Sequence, residues 1–248
     1  MLINMNNKRY ANVFGSPGTR VRMIGLLRTQ WPLLIIVMLI GYLLGVALPY
    51  PNNTTTVTGI LFIALAVAAA AAANYSRIRL QSFLKGAKGE EVTARELNLL
   101  PEAFTIFHGI ATRKHGSLKS GGADLDHIVV GPNGVFVVET KNWQSTITIK
   151  DGRLLYDGEE PTRPPLEQVK TETSALGSYL KSKTGEKFQV QPVLCFASNT
   201  MPTGQQGAAG VLVCNLNQLT NVILSDNESP ISDSIRHKII TTLQKDCE

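Results

Sequence analysis

Three residues of this 248-residue chain could do metal chemistry together: Asp126, Glu139 and Lys141. They sit on two β-branched runs, DHIVV at 126–130 and VFVVETK at 135–141, separated by GPNG, a strong turn signal. With Gly131 to Gly134 as a four-residue turn, Val130 faces Val135 and opposed residue numbers sum to 265, so Asp126 falls opposite Glu139 and Asp124 opposite Lys141. Side chains alternate along a strand, which puts Asp124, Asp126, Glu139 and Lys141 on one side at one end of the hairpin. Directly opposed Cβ atoms lie about 4.5 to 5.5 Å apart, so two carboxylates are forced together. The apolar runs beside them imply burial, where uncompensated charge is costly. A hard divalent cation, Mg²⁺ or Mn²⁺, offsets that charge and keeps waters for a nucleophile and for phosphate. Lys141 can then donate to the nucleophilic water or to charge developing on phosphate. The competing reading is an exposed hairpin end whose Glu and Lys form an ordinary surface ion pair of little worth. The residues alone leave both readings open.

Several elements must position this hairpin. Upstream, YSRIRLQSFLKGAKG leads as a helix into EEVTARELNLL, with Gly86 and Gly89 as points of hinge or interruption. Phe83, Ala87, Ala94 and Leu97 share a helical stripe with Glu90 and turn it towards the sheet, while Val92 and Leu99 point elsewhere. AFTIFHGI reads as a short strand, and 113–123 as a Gly, Ser and Lys loop whose Arg113, Lys114 and Lys119 are phosphate contacts or simply solvated. Thr146 to Tyr156 holds a second strand pair around Asp151-Gly152. Pro161, Pro164 and Pro165 then lead to a helix on which Leu166, Val169, Thr173, Leu176 and Leu180 recur at helical spacing. FQVQPVLCFAS and GVLVCN read as buried strands, followed by helical turns at 217–223 and a terminal helix from Ser232. The order implies a mixed α/β layer structure.

The strings GEEVTARELNLL, DLDHIVVGPNGVFVVETKNW and PPLEQ, in that order, resemble the NERD (nuclease-related) domain, a branch of the PD-(D/E)xK nuclease superfamily; the resemblance covers roughly 86–198. It implies a restriction-endonuclease-like mixed sheet flanked by helices, with Asp126 and Glu139 as ligands of Mg²⁺ and Lys141 as the catalytic lysine. It also implies Glu90 and Gln168 as accessory site residues. Asp124 lies beside the motif without matching its usual aspartate. Against these stand plainer readings: Glu90 as a solvated first-turn residue favoured by the helix dipole, and Gln168 as a polar residue near a helix start. His127, on the face opposite Asp126, reads as a packing residue, and His108, His115 and His237 lack partners at metal-ligand spacing. Trp143 reads as a core or rim aromatic ahead of a base-stacking one.

The N-terminal part is of a different kind. Residues 33–48 and 57–73 carry no charge, and each is about 25 Å long at the helical rise, close to a bilayer core of about 30 Å. An eight-residue connector, PYPNNTTT, joins them. No Asp or Glu occurs before Glu90, whereas nine Lys and Arg do; the other 15 Lys and Arg face all 19 acids, so the chain divides into +9 and −4. The basic balance thus belongs to the membrane flank, and the positive-inside rule places both termini in the cytoplasm, on the inner membrane. The organisation expected is a basic segment at 1–30, a two-helix transmembrane hairpin at 31–76, the nuclease-like domain at 77–225 and a C-terminal helix at 226–248. Three cysteines, Cys195, Cys214 and Cys247, form no CxxC pair and suggest a reducing compartment. The expectations are a membrane-anchored Mg²⁺-dependent nuclease with DNA as partner or, in the alternative, a non-cleaving tether for nucleic acid or protein. Oligomeric state is not legible.

Overall fold

The computed structural model describes residues 10–47, 56–111, 124–198, 201, 206–226 and 228–247. Two compact units emerge, one comprising residues 1–19 with 88–248 and the other residues 20–87.

The smaller unit is helical. It is drawn from α1 (Thr19–Ala47) and from the first part of α2 (Thr56–Leu97). Within them, Val21–Gly45 and Gly59–Leu97 have mean hydropathies of 1.9 and 1.8, long and apolar enough to cross a membrane by length and composition. Their apolar side chains face outwards, Met38 and Ile63 among them. What the helices bury against each other is small and polar. Thr29 Oγ1 donates to Gly25 O at 2.7 Å, and Ser76 Oγ donates to Thr29 O. A Cβ at Gly25 would lie 2.7 Å from Phe83 Cβ, so the helices approach backbone to side chain, as small residues permit in lipid. The expected interruption at Gly86 or Gly89 does not occur, because α2 runs unbroken through both.

The larger unit is the mixed α/β fold expected. Its seven-stranded sheet has the order β1-β2-β3-β4-β7-β9-β8, built from β1 (Asn12–Gly15), β2 (Thr105–Ala111), β3 (Asp124–Gly131), β4 (Gly134–Lys141), β7 (Val190–Phe196), β8 (Gln206–Ala208) and β9 (Val211–Asn215). The β2–β3–β4 meander is antiparallel, whereas β7 and β9 run parallel to β4. A separate hairpin, β5 (Ile147–Lys150) with β6 (Arg153–Tyr156), and the helix α3 (Pro165–Thr184) carry the chain from β4 to β7. Parallel neighbours need such a crossover.

Each sheet face is covered, and strand alternation decides which side chains go where. On one face Ile128, Val130, Val135, Val137, Leu194 and Phe196 pack with Val169, Leu176 and Leu180 of α3 and with Ile239 and Leu243 of α5 (Asp233–Cys247). On the other, Val129, Phe136, Val138, Val193, Cys195 and Cys214 meet Leu97 and Leu100 at the end of α2 and Leu219, Val222 and Ile223 of α4 (Leu219–Ser225). With both faces buried, central strands read as continuous apolar runs, as β4 does. Helix α3 starts on Pro165 at its first turn and ends at Gly185 in the left-handed region, φ 75°. The strand β1, from the basic N-terminal segment, extends the sheet beside β2.

Candidate active site

The hairpin register sets the site. Gly131 pairs with Gly134 and Val130 with Val135, and the register runs on to His127 with Val138. There the ladder stops, one pair short of Asp126 and Glu139. Asp126 is also missing from the ladder with β2, between the pairs His108–His127 and Ile110–Leu125; the residue across from it, Gly109, has φ +62°. The backbone of Asp126 thus pairs with neither neighbour. Its side chain holds the strand end instead, Oδ2 accepting the Thr140 N–H at 2.9 Å.

Glu139 and Lys141 project from β4 on the face covered by α3, and this helix supplies their partners. Lys141 Nζ donates to Glu139 Oε1 at 2.6 Å and to Gln168 Oε1 at 2.9 Å. The Gln168 amide donates in turn to Glu139 Oε1 at 2.8 Å and to Glu172 Oε1 at 2.9 Å, with Glu172 one helical turn further along. Gln168, in the first turn of α3, therefore lies at the centre of the network. Glu90 is buried on the same stripe of α2 as Ala94 and Leu97; its Oε2 accepts the Gly18 N–H at 3.0 Å, and its charge bears on Asp126.

The electrostatics follow from crowding acids in a buried place. Burial first, then the charges of Glu139 and Glu90, raise the Asp126 carboxyl well above the usual range, against the Thr140 N–H, which lowers it. Burial pulls the Lys141 ammonium down, but the charge and hydrogen bond of Glu139, with Asp126 and Glu172 behind them, outweigh it and leave Lys141 more firmly protonated. Burial and the charge of Glu139 push Glu172 up to about 8. No donor among the described residues reaches Glu139 Oε2 or Glu172 Oε2, although both are buried. Among the described residues, no group of three or more His, Cys, Asp and Glu side chains is disposed to hold a metal ion.

Sequence reasoning missed Glu172. A Gln-x-x-x-Glu spacing on a helix whose other face is apolar was the available signal, but a helical Glu is usually solvated. It also missed that His108 and His127 stand opposite each other, Nδ1 to Nδ1 at 2.7 Å, both buried. Burial lowers His108 to about 4, and burial with the nearness of His108 lowers His127 well below its usual value, so both rings are neutral. His127 is the packing residue expected, one layer away from Asp126. Trp143 packs edge-on against Tyr156 at 4.9 Å and tilted on Phe196 at 5.7 Å, as a rim aromatic does. The Asp124 backbone pairs with Ala111. The basic loop at 113–123, with His115, lies outside the described residues.

Comparison with known proteins agrees with this architecture. Residues 85–197 match the family NERD, nuclease-related domain. An uncharacterized protein of Bacillus anthracis is 37% identical over 65 residues, 25% of this chain and 29% of that protein. The chain thus spans under a third of that relative's length. No solved structure matches. The matched segment contains Glu90, Asp126, Glu139, Lys141, Gln168 and Glu172, with the end of α2, the strands β3 and β4 and the helix α3 that carry them. Residues 85–197 of this chain are therefore a nuclease-related domain, on a nuclease-like mixed α/β fold preceded by two long apolar helices.

Proposed function

We propose that this domain is a Mg²⁺-dependent nuclease, with Mn²⁺ able to substitute, that hydrolyses phosphodiester bonds in DNA. The observation that carries the reading is Lys141 joined at 2.6 Å to Glu139 Oε1 while Glu139 Oε2, buried, meets no donor among the described residues and the charge of Glu139 bears on Asp126. An acceptor-only oxygen pair beside an ammonium suits a hard cation, and two carboxylates with several waters are enough for Mg²⁺. Asp126 and Glu139 would hold it. When bound, the ion supplies a polarised water and screens the phosphate charge. Lys141, with two of its three donors engaged, has a third for the nucleophilic water or a phosphate oxygen. Gln168 serves the site by holding Lys141, and Glu90 adds its charge to the acidic surroundings of Asp126. The +9 charge of the first 89 residues and the two apolar helices support anchorage in the inner membrane with both termini and the nuclease-like domain in the cytoplasm.

The test is cleavage by the full chain in detergent against single-stranded, double-stranded and branched DNA, and RNA, over a Mg²⁺ and Mn²⁺ titration. The wild type should cut and Glu139→Ala and Lys141→Ala should not; a wild type inert on every substrate refutes the reading. One observation favours the second reading, a non-cleaving tether for nucleic acid or protein: among the described residues no third His, Cys, Asp or Glu joins Asp126 and Glu139 in a cage for the ion. Salt-dependent DNA binding without product, equal in wild type and Glu139→Ala, would establish that alternative.

A further inference from the structure

Building on the nuclease reading above, we propose that Glu172 is a positioning residue: it fixes the Gln168 amide in the one orientation that holds Lys141 against Glu139. A primary amide has one acceptor oxygen and one NH₂ group with two donors. In Gln168 the oxygen takes the Lys141 ammonium at 2.9 Å, and the NH₂ group gives to Glu139 Oε1 at 2.8 Å and Glu172 Oε1 at 2.9 Å, so both sides of the amide are engaged and both N–H donors are used. Rotated by half a turn, the amide would set its oxygen against two carboxyl groups and its NH₂ against an ammonium. Lys141 and Glu139 each favour that orientation. The second acceptor, on the same helix four residues on, adds to the hold on the NH₂ group and to the cost of the flipped amide. Glu172 is 5% exposed and feels the charge of Glu139, so it is part of the buried cluster rather than a surface carboxylate.

The design separates this role from simple support of the fold. Glu172→Met keeps the side chain's length and removes the acceptor; Glu172→Gln keeps an acceptor oxygen and can offer an N–H to Glu139. In the full chain in detergent, with Mg²⁺ and a cleavable oligodeoxynucleotide, Glu172→Met should lower kcat about tenfold and leave KM within about twofold, as loss of an interaction expressed in the transition state requires. Glu172→Gln should restore kcat to within about threefold of wild type. Gln168→Ala combined with Glu172→Met should be no slower than Gln168→Ala alone, since the two act through one amide. Unchanged kcat in Glu172→Met, or losses that multiply in the double variant, would overturn the proposal. A second readout needs no cleavage: acetylation of Lys141 relative to exposed Lys150, measured by peptide mass spectrometry. Its rate ratio should rise severalfold in Glu172→Met and not in Glu172→Gln. A wild type that cuts nothing defeats the nuclease reading alone, and the Lys141 ratio then decides for or against Glu172. Where Glu172→Met fails to fold, Glu172→Ala takes its place in both assays, with the same outcomes deciding.

Discussion

Gly89→Ala should damage the site more than the fold. A Cβ at position 89 would lie 2.8 Å from Asn142 Cβ and 3.5 Å from Thr140 Cγ2, at the very end of β4. Both Cβ atoms are fixed by their backbones, so neither side chain can swing away. Reaching even the tight limit of 3.4 Å requires helix and strand end to part by some 0.6 Å. Overpacking of this kind costs about 1 to 3 kcal/mol, and replacing Gly by Ala inside a helix returns about 1. The net loss is then about 0 to 2 kcal/mol, a fall in Tm of at most about 8 °C. Activity should suffer far more. Glu90 follows directly on Gly89, Asn142 directly on Lys141, and the Thr140 N–H holds Asp126, so the displacement falls on the residues that must act together. A misplacement approaching 1 Å can cost up to about a hundredfold in rate, and a tenfold fall in kcat is the expected minimum. The assay is kcat with Mg²⁺ beside thermal unfolding of the same preparation. Gly86→Ala is the control, because the nearest atom to its new Cβ is 4.0 Å away; it should gain up to about 1 kcal/mol and keep its rate. Equal activity in Gly89→Ala and Gly86→Ala would refute the close-approach argument.

Three further outcomes test the electrostatics and the packing. His108 is held at about 4 in the fold and would titrate near 6.5 unfolded, so it stays neutral when folded; the stability this carries is fully present above pH 6.5 and is lost as pH falls towards 4, a change of about 3 kcal/mol. Denaturant unfolding at pH 7 and pH 4.5 should show the slope flattened in His108→Gln. Glu172 acts with the opposite sign: raised to about 8, it destabilises the fold fully above that pH and the burden lifts as pH falls towards 4.5, so Glu172→Gln should be the more stable protein at pH 8.5. Phe136→Ala, at a fully buried position between β4 and the helices of the α2 face, should lose about 3 to 5 kcal/mol in urea unfolding at pH 7, and a loss below about 1 would show that this face is not close-packed.

The register of the central hairpin was legible because two constraints met: GPNG fixed where the turn falls, and a one-residue slip would have turned Val129, Phe136 and Val138 to the wrong layer. What the numbering could not convey is that the Asp126 backbone pairs with neither neighbour, Gly109 of a third strand lying across from it at positive φ. Glu172 was illegible for a different reason. Its neighbours on α3, Glu167 and Lys170, form an ordinary surface pair at 3.0 Å, and only the sheet beneath distinguishes a buried helical carboxyl from such a one. Cys195 and Cys214, 19 positions apart in the chain, are direct cross-strand partners on β7 and β9, both reduced and buried; spacing carries no trace of a parallel register. The four residues of β1 are too few for periodicity to speak.

The order of the sheet has a colloidal consequence. Its long strands, β2, β3, β4 and β7 at seven or eight residues, all lie inside, while the edges are β1 with four residues and β8 with three. A short edge offers an incoming strand few free N–H and C=O groups and templates poorly. Copies crowded together on one surface would therefore collide without zipping into a shared sheet, and the domain can be held at high local density as separate working units.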